Sequence, residues 1–516
     1  MPSSSELEYW GGSAWVKENN LIQLTIKDRL QEPLVLNAMI GNFSDSALNT
    51  RESNYGKFLK VRVKEKFSSK YIFYGKIVKT SPDRDNVWGH VVYLTAIDNL
   101  RELSNLRIEG DITGQTTRSG LISNMVSNNV WTTASEGPNI AVNDSTKFKT
   151  STSSESSGVL DKTLKGDRKP ILDIMQEVAR EDPNGNFFGY DFYLDSEFNG
   201  NTPTPDLFYF PRGSIPAGTM PASGLTLQYA ATESNQVLPI MGDYNFPRQS
   251  SELITRVLTR WIDLNDKPRK TDAILINHHA NSGGNFAVGN TITWSGGGSA
   301  KVLLVGNNNR WLVIGPDSVD ADDNESNSNW LNTISNVGIS SGGVVAVVNT
   351  VTEIPPGSLR ESIEQEAEIV SQVYDISSAK AAAVHAASIL YQGGDIITRG
   401  SVKILKWPQY KITGTHTGSN NAGTLTDSTK TFTNFGIFKS DVVKNTSDNS
   451  EATITSVGGT TISGSLSGGT GNDWDTNDTY EISVPIRAGH LVYVNDIPSG
   501  SGIGNQVCLV TAIEYT

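Results

Sequence analysis

The chain has 516 residues, of which 37% are hydrophobic and 19% charged, with a formal net charge of −13. That length is enough for about three or four domains, and the acidic balance without a basic stripe excludes a surface built to neutralise phosphates. Cys508 is the only cysteine, which excludes an intrachain disulfide and any Cys-based metal site.

The 48 glycines, with abundant Ser, Thr and Asn, are the composition of many short strands joined by tight turns. Residues 1–110 read as strands. Leu21 to Ile26, Phe58 to Lys64, Tyr71 to Val78 and His90 to Ala96 carry period-2 patterning at the spacing of an antiparallel sheet or small barrel. The stretch Ala96 to Leu103 then turns helical. Within residues 111–235, a Ser/Thr/Asn-rich tract over 132–158 predicts an exposed loop. Ile171, Ile174, Met175 and Val178 follow Pro170 on one helical face and predict an amphipathic helix, with Pro170 at its first position. Two aromatic strands come next, Phe187 to Asp195 and Leu207 to Phe210.

Leu253 to Trp261 predicts a strand. Residues 359–392 carry the one long helical pattern, with Ile363, Ala367, Val370, Tyr374, Ala381, Val384 and Ile389 near helical spacing and Gly393-Gly394 as its stop. Ser401 to Trp407, His490 to Val494 and Gln506 to Ile513 predict the remaining strands, the last placing Cys508 as an inert core thiol. Two Gly/Ser/Asn-rich blocks, 277–350 and 413–483, share an order of turn, strand, Ala-x-Val/Ile-x-x-Val and strand. They read as small β-modules inserted into loops, where lengthening costs little free energy.

Candidate chemistry is thin. Gly338-Ile339-Ser340-Ser341-Gly342 matches G-x-S-x-G, but a nucleophile elbow needs a strand before it and a helix after it, and the flanks predict loop and strand. Asp320-Ala321-Asp322-Asp323-Asn324-Glu325 lacks the sixth-position Gly of a Ca²⁺ loop, and its twelfth position is Leu331. His278 and His279 are adjacent, so on a strand they point to opposite faces. Trp294, Trp311, Trp330 and Trp474 could offer faces to sugars, although buried Trp is the commoner state. No catalytic, cofactor-binding or metal-binding residue is assigned, no cofactor is expected, and a non-enzymatic role is.

The order of these pieces resembles the hub family of phage tails and baseplates. The resemblance rests on Leu94 to Leu100 at the exit of the first strand domain, Pro170 to Ile174 followed by Gly185 to Asp195, Ala382 to Leu390, and Arg487 to Val494. The block from Gly414 to Tyr480 is similar to small β-modules of phage structural proteins. The resemblance implies a mainly β fold with α+β parts: a first tube-type β-barrel domain at 1–110, a small α/β domain at 111–235, and a second tube-type barrel. That second barrel would take 236–276, 351–412 with the helix 359–392, and 484–516, leaving 277–350 and 413–483 as inserted β-modules. It further implies a homotrimer that joins a sixfold tail tube to a threefold spike or fibre, with tube or distal tail, spike or fibre, and tape-measure proteins as partners. DNA would only pass through its lumen. The expected location is the virion tail tip or baseplate, after assembly in the host cytoplasm. No apolar run approaches the roughly 20 residues of a membrane span, and the first residues carry no secretory signal pattern. The alternative is a receptor- or carbohydrate-binding tail tip component; a wall-degrading enzyme is a third and weaker reading.

Overall fold

The computed structural model describes residues 5–41, 59–65, 70–107, 169–179, 189–196, 207–216, 224–229, 231–234, 236–241, 400–404, 407–437, 441–495 and 506–515, with shorter segments between 111 and 398. The fold is mainly β, as expected, and built from several sheets.

Among the described residues, seven strands open the chain: β1 (Ser5–Trp10), β2 (Trp15–Lys17), β3 (Leu21–Arg29), β4 (Val35–Gly41), β5 (Lys60–Glu65), β6 (Tyr71–Asp85) and β7 (Gly89–Asp98). They form one antiparallel sheet in the order β2-β1-β5-β6-β7-β4-β3, and the chain's last strand, Ala512–Tyr515, pairs with β3 as the eighth. Alternation explains the inner face: Leu24 and Ile26 of β3, Val61 and Val63 of β5, and Leu94 and Ala96 of β7 are all buried. Trp407 and Tyr515, from the far end of the chain, complete that core. The expected strands of this region and the short helical turn after β7 (Asn99–Arg101, then Glu102–Asn105) are present.

Helix α1 (Ile171–Val178) buries the face read from its spacing, with Pro170 one place earlier than expected, as the N-cap. It packs with β8 (Tyr190–Leu194) and β9 (Leu207–Pro211), which pair antiparallel; Tyr190 and Tyr209 stack at 4.8 Å between ring centres. β10 (Thr226–Tyr229) and β11 (Val237–Ile240) run parallel to each other.

The next block is hydrogen-bonded as one sheet. Its strands are β12 (Arg256–Ile262), β13 (Pro268–Ser282), β14 (Thr291–Trp294), β15 (Ser299–Val305), β16 (Trp311–Pro316), β17 (Gly338–Ser341), β18 (Val344–Val348) and β19 (Glu368–Val373). Pairing runs from β13 to β16, β15, β14, β17, β18 and back to β13, a closed circuit of hydrogen bonds. β13 also carries β12, and β12 carries β19 in parallel. The expected insert at 277–350 is therefore continuous with the strands around it.

Three corrections follow. The helix expected over 359–392 is a strand at Glu368–Val373: Ile369, Val370 and Val373 are β-branched and find a ready partner in β12. Helical backbone is described at Ala382, His385 and Ile389, and most of the rest of the span lies outside the described residues. Of the strand expected over 401–407, Ser401–Val402 is strand, Lys403, Ile404 and Trp407 are not, and 405–406 lie outside the described residues. The C-terminal strand divides at Val510-Thr511, and its second half joins the N-terminal sheet instead of closing a second barrel. The described pairings leave the N-terminal sheet open, from β2 at one edge to Ala512–Tyr515 at the other.

The 413–483 module has two sheets. β20 (Gln409–Thr415), β22 (Val442–Asn445), β23 (Glu451–Thr453) and β26 (Thr479–Pro485) form one; β21 (Thr424–Thr426), β24 (Ser456–Val457) and β25 (Thr461–Ser463) form the other. Between them lie Tyr410, Ile412, Leu425, Phe432, Val443, Ile462, Trp474 and Ile482. The same core continues into β10, β11 and β27 (Leu491–Asn495), which pairs parallel to β10 and antiparallel to β28 (Gln506–Leu509). The final strand is β29 (Ala512–Tyr515).

Candidate functional site

The most concentrated polar chemistry in the described residues lies where three distant segments meet. Asp28 sits on the inward face of β3 by the same alternation that buries Leu24 and Ile26, so a carboxylate is delivered to the core side. Arg487 enters from the turn between β26 and β27 and donates its Nε to Asp28 Oδ2 at 2.7 Å. The Ala488 N–H donates to the same oxygen at 3.1 Å, and Arg487 Nη1 donates to the Leu194 carbonyl of β8 at 3.0 Å. The guanidinium lies 4.5 Å above the ring of Tyr193, whose hydroxyl shares a 2.9 Å hydrogen bond with His490 Nε2. Asp28, Arg487 and His490 are all buried.

The turn that presents Arg487 depends on Gly489. Its φ of +95° suits glycine, and a Cβ there would stand 3.0 Å from Phe210 Cζ and 3.2 Å from Asp191 Cβ. Asp191 itself is held by Arg212 from β9's far end, with Nε to both carboxylate oxygens at 3.2 Å.

Asp98 completes the junction. It caps the short helix after β7 by accepting from the Leu100 N–H, and it accepts from the Leu34 N–H, both at 3.0 Å. Burial pushes its carboxyl up to about 7; the Leu34 and Leu100 N–H groups and the Arg487 charge pull the other way, while Asp28 adds to the rise. Burial works against the Arg487 charge, but Asp28, Tyr193 and Asp98 more than offset it, so its pKa is held above the ordinary value.

A second cation, Arg62, is enclosed by aromatic rings. Arg62 of β5 lies 4.3 Å from the ring centres of Trp15 and Tyr71 and 4.8 Å from that of Phe198, with Nε 2.5 Å from Glu8. Alternation alone assigns Arg62 to the solvent face; the aromatic rings cover it. Both clusters bind segments together. Among the described residues no group of three or more His, Cys, Asp and Glu is placed to hold a metal ion.

The residues singled out in the sequence fall elsewhere. Ser340 lies in β17, which pairs antiparallel with β18, so its flank is a hairpin and not a strand–helix elbow. His278 and His279 lie in β13 opposite Val348 and Val347. Residues 320–325 and Trp330 lie outside the described residues, as do the side chains of Trp294 and Trp311. Trp474 is buried and stacked on His416 at 5.9 Å, so it offers no face to a sugar. Cys508 is half-buried on β28 against the module's core, and burial raises its thiol pKa. Arg487 and His490 stand within a stretch that carries the family resemblance, but their partners are hundreds of positions away and left no local signal.

No family model matches the chain, and no curated protein matches it. Solved structures similar to it include phage tail and type VI secretion proteins. The 43 kDa tail protein of prophage MuSo2 from Shewanella oneidensis is 10% identical, with 99% of this chain and 93% of that chain covered at a TM-score of 0.40. The E. coli c3393 protein, a type VI secretion system component, is 10% identical, with 60% and 77% covered at 0.31. A tail protein from Neisseria meningitidis is 10% identical, with 61% and 97% covered at 0.31. Overlaps at these TM-scores carry no weight for mechanism.

Proposed function

We propose that this chain is a non-enzymatic structural subunit of a phage tail or baseplate hub. In this reading it is a trimeric adaptor between a sixfold tail tube and a threefold spike or fibre, set in the virion tail tip, with DNA passing through its lumen. The observation that carries the reading is the N-terminal sheet. Among the described residues its strand order runs from β2 to β29, the two short strands at its ends, and the Ser5 hydroxyl of β1 donates to the Tyr515 hydroxyl of β29 at 2.7 Å. An open sheet edge is a template for a neighbouring chain, and head-to-tail pairing of unlike edges closes into a ring when the rotation allows. The junction at Arg487 supports the same role, because it ties β3 and β8 to the turn between β26 and β27, as an adaptor under axial force requires.

The test is stoichiometry. Native mass spectrometry and light scattering of the purified chain, alone and with its tube protein, should give three copies. A protein that stays monomeric at high concentration and with its tail partners overturns the reading.

A further inference from the structure

A further buried ionic contact has the makings of a covalent one. Lys70 opens the β6 ladder in the N-terminal sheet, and its Nζ lies 2.8 Å from Oδ1 of Asp441, the residue just before β22 in the 413–483 module. The two side chains are 11% and 5% exposed. Lys70 Nζ also donates to the Ser483 carbonyl on β26, so the amine is aimed by two groups of the module. Asp441 is fixed in turn, its carbonyl accepting from the Ile454 N–H at 2.8 Å.

A carboxyl group stands on the same side. Glu65 donates its N–H to the Lys70 carbonyl at 2.7 Å, continuing the Lys64↔Tyr71 register of β5 and β6. Residues directly opposite in an antiparallel pair project to one face. Glu65 is only 3% exposed. An amine and a carboxyl in contact, with a second buried carboxyl opposite the lysine on the same face of the ladder, are thus shielded from water.

We propose that Lys70 and Asp441 condense into an intramolecular isopeptide bond, with Glu65 relaying the protons. A proton moves from the Lys70 ammonium to the Asp441 carboxylate, leaving a neutral amine against a neutral acid. Nζ then attacks Cγ, forming the C–N bond. Glu65 takes a proton from the nitrogen and returns it to the departing hydroxyl as the C–O bond breaks, so one water leaves. Nothing is oxidised or reduced. Burial drives the step, since it replaces two charges held away from water with a neutral amide. The product ties the module to the N-terminal sheet by a covalent strut. The inference goes beyond the hub reading and does not depend on it: a monomer could carry the bond, and a trimer could lack it.

Intact-mass spectrometry of the full chain decides the matter. The expected mass is one water below the sequence mass, about 18 Da, and a tryptic digest should contain a branched peptide joining the Lys70 and Asp441 segments. K70R and D441A should each have the full mass and no branched peptide. E65Q, checked for retained fold by circular dichroism, should slow condensation about 100-fold or more. Separate, linear Lys70 and Asp441 peptides from the wild-type protein would show an ordinary ion pair and overturn the proposal. An E65Q protein that condenses as fast as wild type would remove the relay role. A water loss without the branched peptide would also overturn it, because that marks a cyclised Asp elsewhere.

Discussion

Asp28 and Arg487 lie 459 positions apart, yet they meet at 2.7 Å inside the protein, one from the third strand and the other from the last turn before the closing strands. Neither has water to fall back on. Breaking such a pair by removing one partner leaves the other charge buried and uncompensated, which costs about 3–5 kcal/mol. Arg487→Met should therefore lower the denaturant midpoint strongly, because Asp28 is stranded and the Leu194 carbonyl loses its donor. The double substitution Asp28→Asn with Arg487→Met should recover part of the loss, since no charge then remains unpaired. Equilibrium unfolding of the two variants, read by tryptophan fluorescence, checks both expectations.

Asp98 gives the junction a pH dependence whose sign can be worked out. Its folded carboxyl sits at about 7, above the ordinary carboxylate value of 3.8, chiefly through burial. The folded state therefore binds the proton more tightly than the unfolded chain does. The resulting stabilisation is fully present below pH 3.8 and is lost as pH rises through about 7. Other carboxylates add slopes of their own, so the informative quantity is the difference between wild type and Asp98→Asn. The wild type should gain stability relative to the variant on moving from pH 8 to pH 5, as read from urea midpoints at each pH. A difference that stays constant across that range would contradict the expectation.

The parts of the fold that alternation controls were legible. Leu24, Ile26, Val61 and Val63 are buried because they fall on one face of short strands, and α1 buries the stripe its spacing draws. Asp28 and Arg62 obey the same geometry, but their environment is set by Arg487 and by Trp15, Tyr71 and Phe198, which local pattern cannot supply. The helical pattern across residues 368–373 failed for a related reason. Ile369, Val370 and Val373 fit a strand as well as a helix, and a partner more than 100 residues upstream decided between them. The same holds for β29, which reads as the tail of a C-terminal hairpin until β3 offers it an antiparallel ladder of its own.

Trp474 separates a packing role from a binding role. It is 1% exposed, stacks on His416, and exchanges backbone hydrogen bonds with Ala422. Truncating a fully buried Trp costs about 3–5 kcal/mol, because the cavity adds to the lost transfer energy. Trp474→Ala should lower the melting temperature by several degrees and broaden the near-ultraviolet spectrum. A Trp474→Ala protein that keeps its wild-type melting temperature while losing glycan binding would instead put this side chain at a sugar site.

Gly75 and Gly423 make opposite demands on a methyl group. In β6, Gly75 faces Asp98 across the ladder to β7, and a Cβ built on it would stand 2.3 Å from the Ile97 carbonyl oxygen and 2.9 Å from Asp98 Cα. Those are backbone atoms of a paired strand, so they cannot swing aside as a side chain would. Relief has to come from displacing β7, and Asp98 would carry that displacement into the Leu34 contact and the Arg487 junction. Gly75→Ala should accordingly destabilise by about 1–3 kcal/mol or more and should also blunt the pH dependence that Asp98 confers. Gly423 has no atom within 4 Å of the same added carbon and no left-handed φ. Gly423→Ala should leave the fold intact and stabilise it by about 0.4–1 kcal/mol, by restricting the unfolded chain. Urea unfolding of the two variants side by side, repeated at pH 5 and pH 8, measures both effects; equal shifts would mean that β6 and β7 are not packed as closely as this contact requires.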